Sequence, residues 1–286
     1  MTKKTVILLS CMIALSVCFL IGCGKSKVTD NDTYTIDKIS EIQIDIDTWQ
    51  LNVMASSDEK AHISFDGSIS DDDVKPTALL QDGILKIAQK NDEEMQDQIA
   101  LGKKGQITLL LPTDCTIPIA ISNGIGDIEV DSISATNLQL LNNAGYVTFT
   151  NFETDNLKVS STSGDITVKN SDIDNVEISA TSGYVKLSNT TFNNSEIATK
   201  SGEINMSEIS PNTNINLQTG SGDINLNYQS SPDNLDFAVS SGSKDITTRF
   251  NKATYDKETS ACRQGMIGEG ENKLEINSDN GTVVVK

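Results

Sequence analysis

Residues 157–168, LKVSSTSGDITV, contain the pattern from which the architecture can be predicted. This stretch contains two short runs, residues 157–159 and 166–168, in which apolar residues flank a polar one. This alternation places one set of side chains on one face, as in a β-strand. Polar residues and Gly164 separate the two runs, which is typical of a turn. The stretch therefore predicts two short strands joined by a turn at Gly164.

The same pattern recurs along the C-terminal half of the chain. Its glycines advance by 19, 19, 19, 19 and 20 residues, and looser copies follow at Gly242 and Gly281. The regular glycines are Gly126, Gly145, Gly164, Gly183, Gly202 and Gly222. A column of apolar residues has the same period: Leu140, Val159, Ile178, Ile197, Leu217, Phe237 and Ile276. Nineteen residues are too few for a propeller blade of about 40. They fit one coil of a parallel β-solenoid, in which each coil buries its inward residues only against its neighbours.

Stacking of such coils predicts ladders of like residues at the turn. Serines precede the glycines, and we expect their hydroxyls to bond along the solenoid axis or to turn amides. These serines are Ser163, Ser182, Ser201, Ser221 and Ser241. The glycines suit a positive φ at a corner.

The residue after each glycine forms a second ladder, which is mostly acidic. It reads Asp127, Tyr146, Asp165, Tyr184, Glu203 and Asp223. Coils lie about 4.8 Å apart, so a column of carboxylates alone would repel itself. The tyrosines reduce this repulsion, and Glu203 and Asp223 are left as an adjacent acidic pair. A cation site at this pair is the one metal site the sequence offers, against the simpler interpretation of two solvated carboxylates pointing apart. We expect no cofactor.

The remaining body of the chain is also β-like but less regular. Residues 35–121 contain alternating runs at varied spacings, which predict either opening coils with long insertions or a small β-sandwich that caps the solenoid. Trp49, the only tryptophan, is expected in the core of this lobe, with sugar binding as the alternative. The solenoid then covers residues 122–286. Within it, residues 249–272 lack the motif and are rich in Lys, Glu and Gly, which favours an inserted loop over a degenerate coil.

The start of the chain resembles a bacterial lipoprotein leader. Lys3 and Lys4 precede an apolar run that ends in Leu-Ile-Gly-Cys at residues 20–23. The run is short for a membrane span and suits a signal peptide. We therefore predict a signal peptide at residues 1–22, cleavage after Gly22, and acyl chains such as palmitate on Cys23. Residues 23–34 are polar and are expected to form a flexible tether. This places the protein on the extracytoplasmic face of a bacterial cell membrane. An ordinary signal peptide or a retained membrane helix is the alternative.

The charge and the rare side chains exclude some functions. The formal net charge is −18, and only two arginines occur, so nucleic acid binding is not expected. Outside the leader and Cys23, Cys115 and Cys262 are the only cysteines, which allows at most one disulfide. The single histidine, His62, lies in an alternating run and is expected to be a structural or exposed strand residue.

The body of the chain resembles the DUF4097 proteins, which are described as candidate adhesins with β-strand repeats. The resemblance covers roughly residues 36–286 and is based on the repeated Ser-Gly-[Asp/Tyr/Glu]-[Ile/Val] motif and the closing residues 279–285. It implies a surface-exposed β-solenoid with an adhesive or envelope-stress role, and it implies no catalytic residues.

We therefore predict a non-enzymatic, membrane-anchored surface lipoprotein that binds a protein or a cell-wall glycan. Outward residues such as Thr167, Lys186 and Asn205 offer hydrogen-bonding groups, although the sequence shows no aromatic platform. One alternative is a modulator of envelope-stress signalling. A further alternative is a β-helix polysaccharide lyase or hydrolase, but the abundant carboxylates do not single out a catalytic pair.

Overall fold

The computed structural model describes residues 25–70, 75–90 and 105–286. The leader, Gly22 and Cys23 lie outside these residues. The described part contains 25 β-strands and, as its only helical element, one 3-10 turn at Ile36–Lys38. The strands form two long sheets of 12 and 13 strands, here called sheet 1 and sheet 2. The predicted all-β solenoid is confirmed.

In space, the strands of each sheet lie side by side in the following order. Sheet 1 contains β1 (Lys25–Thr35), β4 (Lys60–Ser70), β7 (Gly105–Leu111), β3 (Gln50–Ala55), β9 (Ile128–Asp131), β11 (Val147–Thr150), β13 (Ile166–Lys169), β15 (Val185–Ser188), β17 (Ile204–Ile209), β19 (Ile224–Tyr228), β25 (Val283–Val285) and β21 (Ile246–Thr248). Sheet 2 contains β22 (Thr254–Thr259), β23 (Cys262–Ile267), β20 (Leu235–Ser241), β24 (Asn272–Ser278), β18 (Asn214–Thr219), β16 (Asn194–Thr199), β14 (Asp172–Ala180), β12 (Glu153–Ser161), β10 (Ser134–Asn142), β8 (Ile119–Asn123), β2 (Glu41–Ile46), β6 (Ile84–Gln89) and β5 (Thr77–Gln81).

Each regular coil contributes one strand to each sheet. In the coil that contains residues 157–168, β12 runs through sheet 2 and β13 through sheet 1, with the turn at Gly164 between them. Val159 of β12 pairs in parallel with Leu140 before it and Ile178 after it, so the register repeats every 19 residues. Val159 and Val168 are fully buried. The inward residues of both sheets therefore form one continuous core along the solenoid.

Residues 35–121 are part of the same two sheets. Strand β2 pairs in parallel with β8, and β3 pairs in parallel with β9, so the opening coils stack directly on the regular ones. The antiparallel pairs β1–β4 and β5–β6 are additions to these coils. Trp49 is buried in this region, and any side chain at Gly67 or Gly105 would collide with its indole. The tryptophan is thus a core residue, as expected.

The segment expected to be a tether is mostly a strand. Residues 25–35 form β1, which pairs antiparallel with β4 along its whole length. Residues 28, 30, 32 and 34 are the less exposed positions, and Val28 is buried. The alternation is weak in the sequence because Asp30 and Asp32 occupy two of these positions. The polar composition of this segment therefore concealed the two-residue alternation of burial that is typical of a strand.

The C-terminal coil is inserted between two earlier coils. Strand β24 lies between β18 and β20, and β25 lies between β19 and β21. The apolar column consequently continues from Leu217 to Ile276 and then to Val239, whereas Phe237 pairs with Leu274. The prediction from the sequence placed Phe237 in this column, on the assumption that coils stack in chain order.

The expected loop at residues 249–272 contains a β-hairpin. Strands β22 and β23 pair antiparallel, and β23 pairs antiparallel with β20. Gly265 of β23 lies against the ring of Phe237, where no side chain would fit. Strand β22 is almost entirely exposed, so this segment lacks the apolar alternation that would have revealed a strand. The hairpin covers the edge of β20, which would otherwise present unpaired backbone groups.

The glycine column is required by close packing of consecutive coils. A Cβ built on Gly202 would overlap the carbonyl oxygen of Gly183, and one on Gly222 would overlap that of Gly202. Positive φ, the reason expected from the sequence, applies at Gly145, Gly164 and Gly183. The opposite corner of the coil is at positive φ in five consecutive coils, and asparagine occupies three of these positions: Ser132, Asn151, Asn170, Asn189 and Glu208. Asparagine tolerates this conformation better than most residues.

A buried, mostly polar column follows the inner edge of the turn, three residues before each glycine except at Ser241, which directly precedes Gly242. Asn123 Nδ2 donates to Asn142 Oδ1 at 2.6 Å, and Asn142 Nδ2 donates to Ser161 Oγ at 3.0 Å. Further along, Thr199 Oγ1 donates to Thr219 Oγ1 at 2.9 Å. The buried side chains also bond to turn backbone groups, which satisfies groups that would be costly to bury alone. The column comprises Asn123, Asn142, Ser161, Ala180, Thr199, Thr219, Ser278 and Ser241.

Two serines, one inside this column and one outside it, give a matched test of buried polarity. Ser195 lies between Val176 and Ile215 in the apolar core, and its Oγ has no partner among the described residues. We expect Ser195→Ala to leave the free energy of unfolding unchanged or raise it by about 1 kcal/mol, because an unpaired buried hydroxyl is removed. Ser161→Ala should lower it by about 1–2 kcal/mol, because Asn142 loses an acceptor. Urea denaturation checks both, and equal destabilisation by the two variants would contradict this account.

Candidate functional site

The outer face of sheet 2 carries a groove of about 690 Å³ that crosses five coils. Its floor contains Ser160, Ser179 and Ala198, which pair in register on adjacent strands. The half-exposed side chain of Leu141 lies in the same row. The groove is lined by Ser122, Asn123, Leu141, Asn142, Asn143, Ser160, Ser161, Thr162, Ser179, Ala180, Thr181, Ala198, Thr199 and Lys200. Small residues in consecutive coils create the depression, because larger side chains there would fill it.

The groove offers neutral hydrogen-bonding groups that repeat along the axis. Lys200 is the only charged residue in its lining. Thr162, Thr181 and Lys200 occupy equivalent turn positions in successive coils, about 4.8 Å apart. The buried polar column runs beneath this side of the groove and fixes its backbone. The arrangement can bind an extended, uncharged polymer whose hydroxyl groups recur at similar intervals.

A ladder of asparagines runs along the same face of sheet 2. Each side chain donates from Nδ2 to Oδ1 of the asparagine one coil earlier, at distances of 2.6, 3.1, 2.9 and 3.0 Å. Its members are Asn137, Asn156, Asn175, Asn194 and Asn214. The last three also line a shallow hollow of about 410 Å³ with Glu196 and Lys273. The ladder holds this surface in register and leaves little freedom to its side chains.

The turn serines behave largely as expected. Ser163 Oγ donates to Asn143 O at 3.3 Å, and Ser182 Oγ donates to Thr162 O at 3.2 Å. Ser201 Oγ makes the equivalent bond to a carbonyl one coil earlier. These bonds run along the axis. Ser241 differs, because it belongs to the buried polar column and donates to Gly281 O at 2.6 Å.

The acidic ladder beside the serines uses its carboxylates to bind the next coil. Asp127 Oδ1 accepts a hydrogen bond from Tyr146 N–H at 3.0 Å, and Asp165 Oδ1 accepts one from Tyr184 N–H at 2.9 Å. Such bonds to backbone donors offset the repulsion that the sequence predicts for stacked acids. Tyr146 and Tyr184 are 62% and 58% exposed. The chain therefore presents a pair of exposed aromatic side chains, and their exposure was not predicted from the sequence.

Glu203 and Asp223, the predicted cation pair, are engaged with other residues. Asp223 Oδ1 accepts from Thr282 N–H at 2.7 Å, and Glu203 Oε1 accepts from Asn225 Nδ2 at 3.3 Å. Among the residues that the structure describes, no group of three or more metal-binding side chains occurs. The pair alone would supply few ligands to a cation such as Ca²⁺, which takes six to eight oxygens.

His62 lies on the exposed side of β4, where it bridges two neighbours. Its Nε2 is 2.8 Å from Asp58 Oδ1, and its Nδ1 is 3.1 Å from Thr33 Oγ1. The hydrogen bond from His62 is the main cause that lowers the pKa of the Asp58 carboxyl. This trio resembles a hydrolase triad in residue types only. His62 faces Thr33 through Nδ1, whereas the serine-protease pattern places Nε2 against the nucleophile.

The two cysteines of the body are free and far apart. Cys115 is buried just before β8, whereas Cys262 begins β23 near the opposite end of sheet 2. Eight strand-to-strand steps of about 4.8 Å separate β8 from β23. A disulfide needs Cα atoms within about 7 Å, so the one bridge that the sequence allows does not form.

The residues most suited to binding were not singled out by the sequence analysis. The groove floor and the asparagine ladder have the 19-residue period and could have been found by aligning every column of the repeat, polar columns included. The groove itself could not have been found from the sequence, since its shape depends on how neighbouring coils are arranged in space.

The sequence of this chain matches the model of the family described as Toastrack DUF4097, over residues 39–286. The chain belongs to the DUF4097 family. Its solved structural neighbours include a candidate adhesin from Bacteroides fragilis, with 17% identity, a TM-score of 0.53, and coverage of 91% of this chain and 98% of that one. At this identity the likeness concerns the fold.

Two further neighbours of this DUF4097 protein have lower TM-scores. A candidate lipid-binding protein from Parabacteroides distasonis has 14% identity, a TM-score of 0.45, and coverage of 90% and 96%. A candidate adhesin from Parabacteroides merdae has 13% identity, a TM-score of 0.40, and the same coverage. No curated protein matches the sequence. Within the described ranges, no helix is long and apolar enough to cross a membrane.

The reactivity of the two cysteines should differ. Burial raises the pKa of the Cys115 thiol and reduces its thiolate, which is the reactive form. Cys262 is only half-buried. We expect iodoacetamide to alkylate Cys262 at least about tenfold faster than Cys115 in the native protein. Peptide mass spectrometry measures both rates, with urea-unfolded protein as the control in which they converge. A Cys115–Cys262 peptide under non-reducing conditions would contradict the structure.

Proposed function

We propose that this DUF4097 protein is a lipid-anchored, non-enzymatic binding module on the outer face of the bacterial cell membrane. Its ligand is a polysaccharide of the cell envelope, which lies along the groove of sheet 2. The observation that carries the proposal is the register of the groove, where equivalent residues recur in five consecutive coils and all of them except Leu141 are small or polar. A repeating wall favours a repeating ligand.

The chemistry of the groove favours a glycan that carries no negative charge. Hydroxyl and amide groups of Ser, Thr and Asn can exchange hydrogen bonds with sugar hydroxyls, as donors and as acceptors. Lys200 is the single cation in the lining, while the whole chain has a net charge of −18. Acidic polysaccharides would be repelled by the body. The structural neighbour from Bacteroides fragilis, named as a candidate adhesin, supports a binding role.

The anchor part of the proposal is based on the leader sequence and on where β1 begins. Strand β1 starts at Lys25, two residues after Cys23. Acyl chains on Cys23 would therefore hold the first strand close to the bilayer surface, without the flexible tether over residues 23–34 that the sequence suggested. Two or three acyl chains suffice for stable attachment, since each buried CH₂ contributes about 0.8 kcal/mol.

The anchor is tested by replacing Cys23. In the native host, wild-type protein should partition into the detergent phase of Triton X-114, whereas Cys23→Ala should lose the acyl chains and move to the aqueous phase. Mass spectrometry of the purified N-terminus checks the assignment directly. Cys115→Ala is the matched control and should remain in the detergent phase. A mature N-terminus that is unmodified, or that begins elsewhere than Cys23, would refute the anchor.

The groove is tested by filling it. We expect the soluble chain from residue 23, with Cys23→Ser, to sediment with purified peptidoglycan. Ser179→Trp should weaken this binding about tenfold or more, because the indole occupies the floor. Thr150→Trp, on the outer face of sheet 1, is the matched control and should bind like the parent. Equal binding by both tryptophan variants would show that the groove is not the site, and no binding by the parent to peptidoglycan or to a neutral glycan array would refute the function.

A further inference from the structure

The exposed pair Tyr146 and Tyr184 lies on one column of the turn, with Asp165 midway between them. Consecutive coils are about 4.8 Å apart, so the two tyrosine backbones are separated by about 10 Å along the axis. Both rings are more than half exposed, while the residues that follow them in the chain are fully buried. The rings therefore project from a rigid corner and have no packing role in the core. Exposed aromatic side chains on a fixed scaffold are typical of recognition surfaces.

The carboxylate between the rings is held in place by the backbone. Tyr184 N–H donates to Asp165 Oδ1 at 2.9 Å, which orients the group along the column. Its second oxygen has no hydrogen-bond partner within the described residues. Asp127 is fixed in the same way by Tyr146 N–H, one coil before the first ring. The column thus alternates aromatic faces with carboxylates whose positions are fixed before any ligand binds.

The charge of this corner favours a cationic partner. Asp127, Asp165, Glu203 and Asp223 all lie in the column, and among neighbouring outward positions of sheet 1 Lys186 is the one cation next to the tyrosines. An ammonium group is attracted both by a carboxylate and by the negative face of an aromatic ring. A neutral sugar would gain only the stacking of its ring on the tyrosine.

We propose that this column, here called the Tyr-Asp-Tyr column, binds the amino groups of a deacetylated amino-sugar polymer. The proposal goes beyond the groove and adds a second glycan-binding surface at the turn. The C–H face of a pyranose ring packs against a tyrosine, and the ammonium of the sugar pairs with Asp165. The repeat of a linked pyranose chain is close to one coil step. An extended basic peptide fits less well, because its same-side residues recur about every 7 Å, out of step with the coils.

The test compares two sugar hexamers by isothermal titration calorimetry. The protein is the soluble chain from residue 23 with Cys23→Ser, which contains every strand of the structure. At about pH 5.5 the sugar amines are protonated. The glucosamine hexamer should bind at least about tenfold more tightly than the N-acetylglucosamine hexamer. Equal affinity for the two would overturn the role of the ammonium group.

Variants then assign the binding to the column. Tyr146→Ala, Tyr184→Ala and Asp165→Asn should each weaken glucosamine hexamer binding about tenfold, whereas Tyr184→Phe should stay within about twofold, because its ring face is kept. Asp236→Asn, an exposed acid of sheet 2, controls for the change in net charge and should bind like the parent. Thermal melts verify that the variants fold. Two results would overturn the proposal, because each would reduce the effect to general electrostatic attraction. One is a loss of affinity with Asp236→Asn equal to that with Asp165→Asn. The other is an affinity for hexalysine equal to that for the glucosamine hexamer.

The groove variant separates this surface from the groove. Ser179→Trp should bind the glucosamine hexamer as the parent does. Loss of hexamer binding with Ser179→Trp, together with unchanged binding in the tyrosine variants, would assign the sugar to the groove. In that case the Tyr-Asp-Tyr column is refuted while glycan binding stands. Failure of the parent to bind the hexamer, with peptidoglycan binding retained, would also refute the column alone.

Discussion

The structure depends on the contact between a turn glycine and the carbonyl of the glycine in the neighbouring coil, which recurs at Gly145, Gly164, Gly183, Gly202, Gly222 and Gly281. No side chain fits between Gly202 and Gly183, or between Gly222 and Gly202. The turn can therefore approach the preceding turn as closely as two strands approach each other in a sheet. That approach keeps both sheets in register around the same corner, and every column of the solenoid inherits its spacing from it. The groove, the asparagine ladder and the tyrosine pair are consequences of one repeated backbone contact.

The interior of the solenoid combines two kinds of column. Apolar columns such as that of Val159 supply the burial that drives folding. The column of Asn123 and Asn142 adds directional bonds that are satisfied only when equivalent residues lie side by side. A slip of one coil by one residue would turn apolar side chains outward and also break these bonds. The polar column therefore selects one register from those that hydrophobic burial alone would permit.

Much of the fold was predictable because a period of 19 residues in the sequence becomes a column in space. Val159 and Ile178 could be assigned to neighbouring coils from their spacing alone. The exceptions are places where the chain leaves that rule. Ile276 follows Phe237 in the chain but lies between Leu217 and Val239, since strand order in a sheet is not encoded by local pattern. Strand β1 was hidden because aspartates occupy its half-buried positions.

The candidate site was predictable in composition but not in shape. The sequence identified the acids and tyrosines after each glycine, yet it could not show that the tyrosine rings are exposed or that Asp165 is held by the next coil. The groove floor at Ser160 and Ser179 consists of residues with no distinctive chemistry. Its significance arises from their alignment, which only the folded coil provides.

The position of the last coil has a consequence for how the chain folds. Strand β24 is an interior member of sheet 2 and β25 of sheet 1, although they come last among the described strands. Neither sheet can be completed until residues 272–285 take their places, and the pairings concerned link distant parts of the sequence, which slows folding. Strands β18 and β20 pair with β24 and not with each other, so this coil joins the two parts of the solenoid on either side of it.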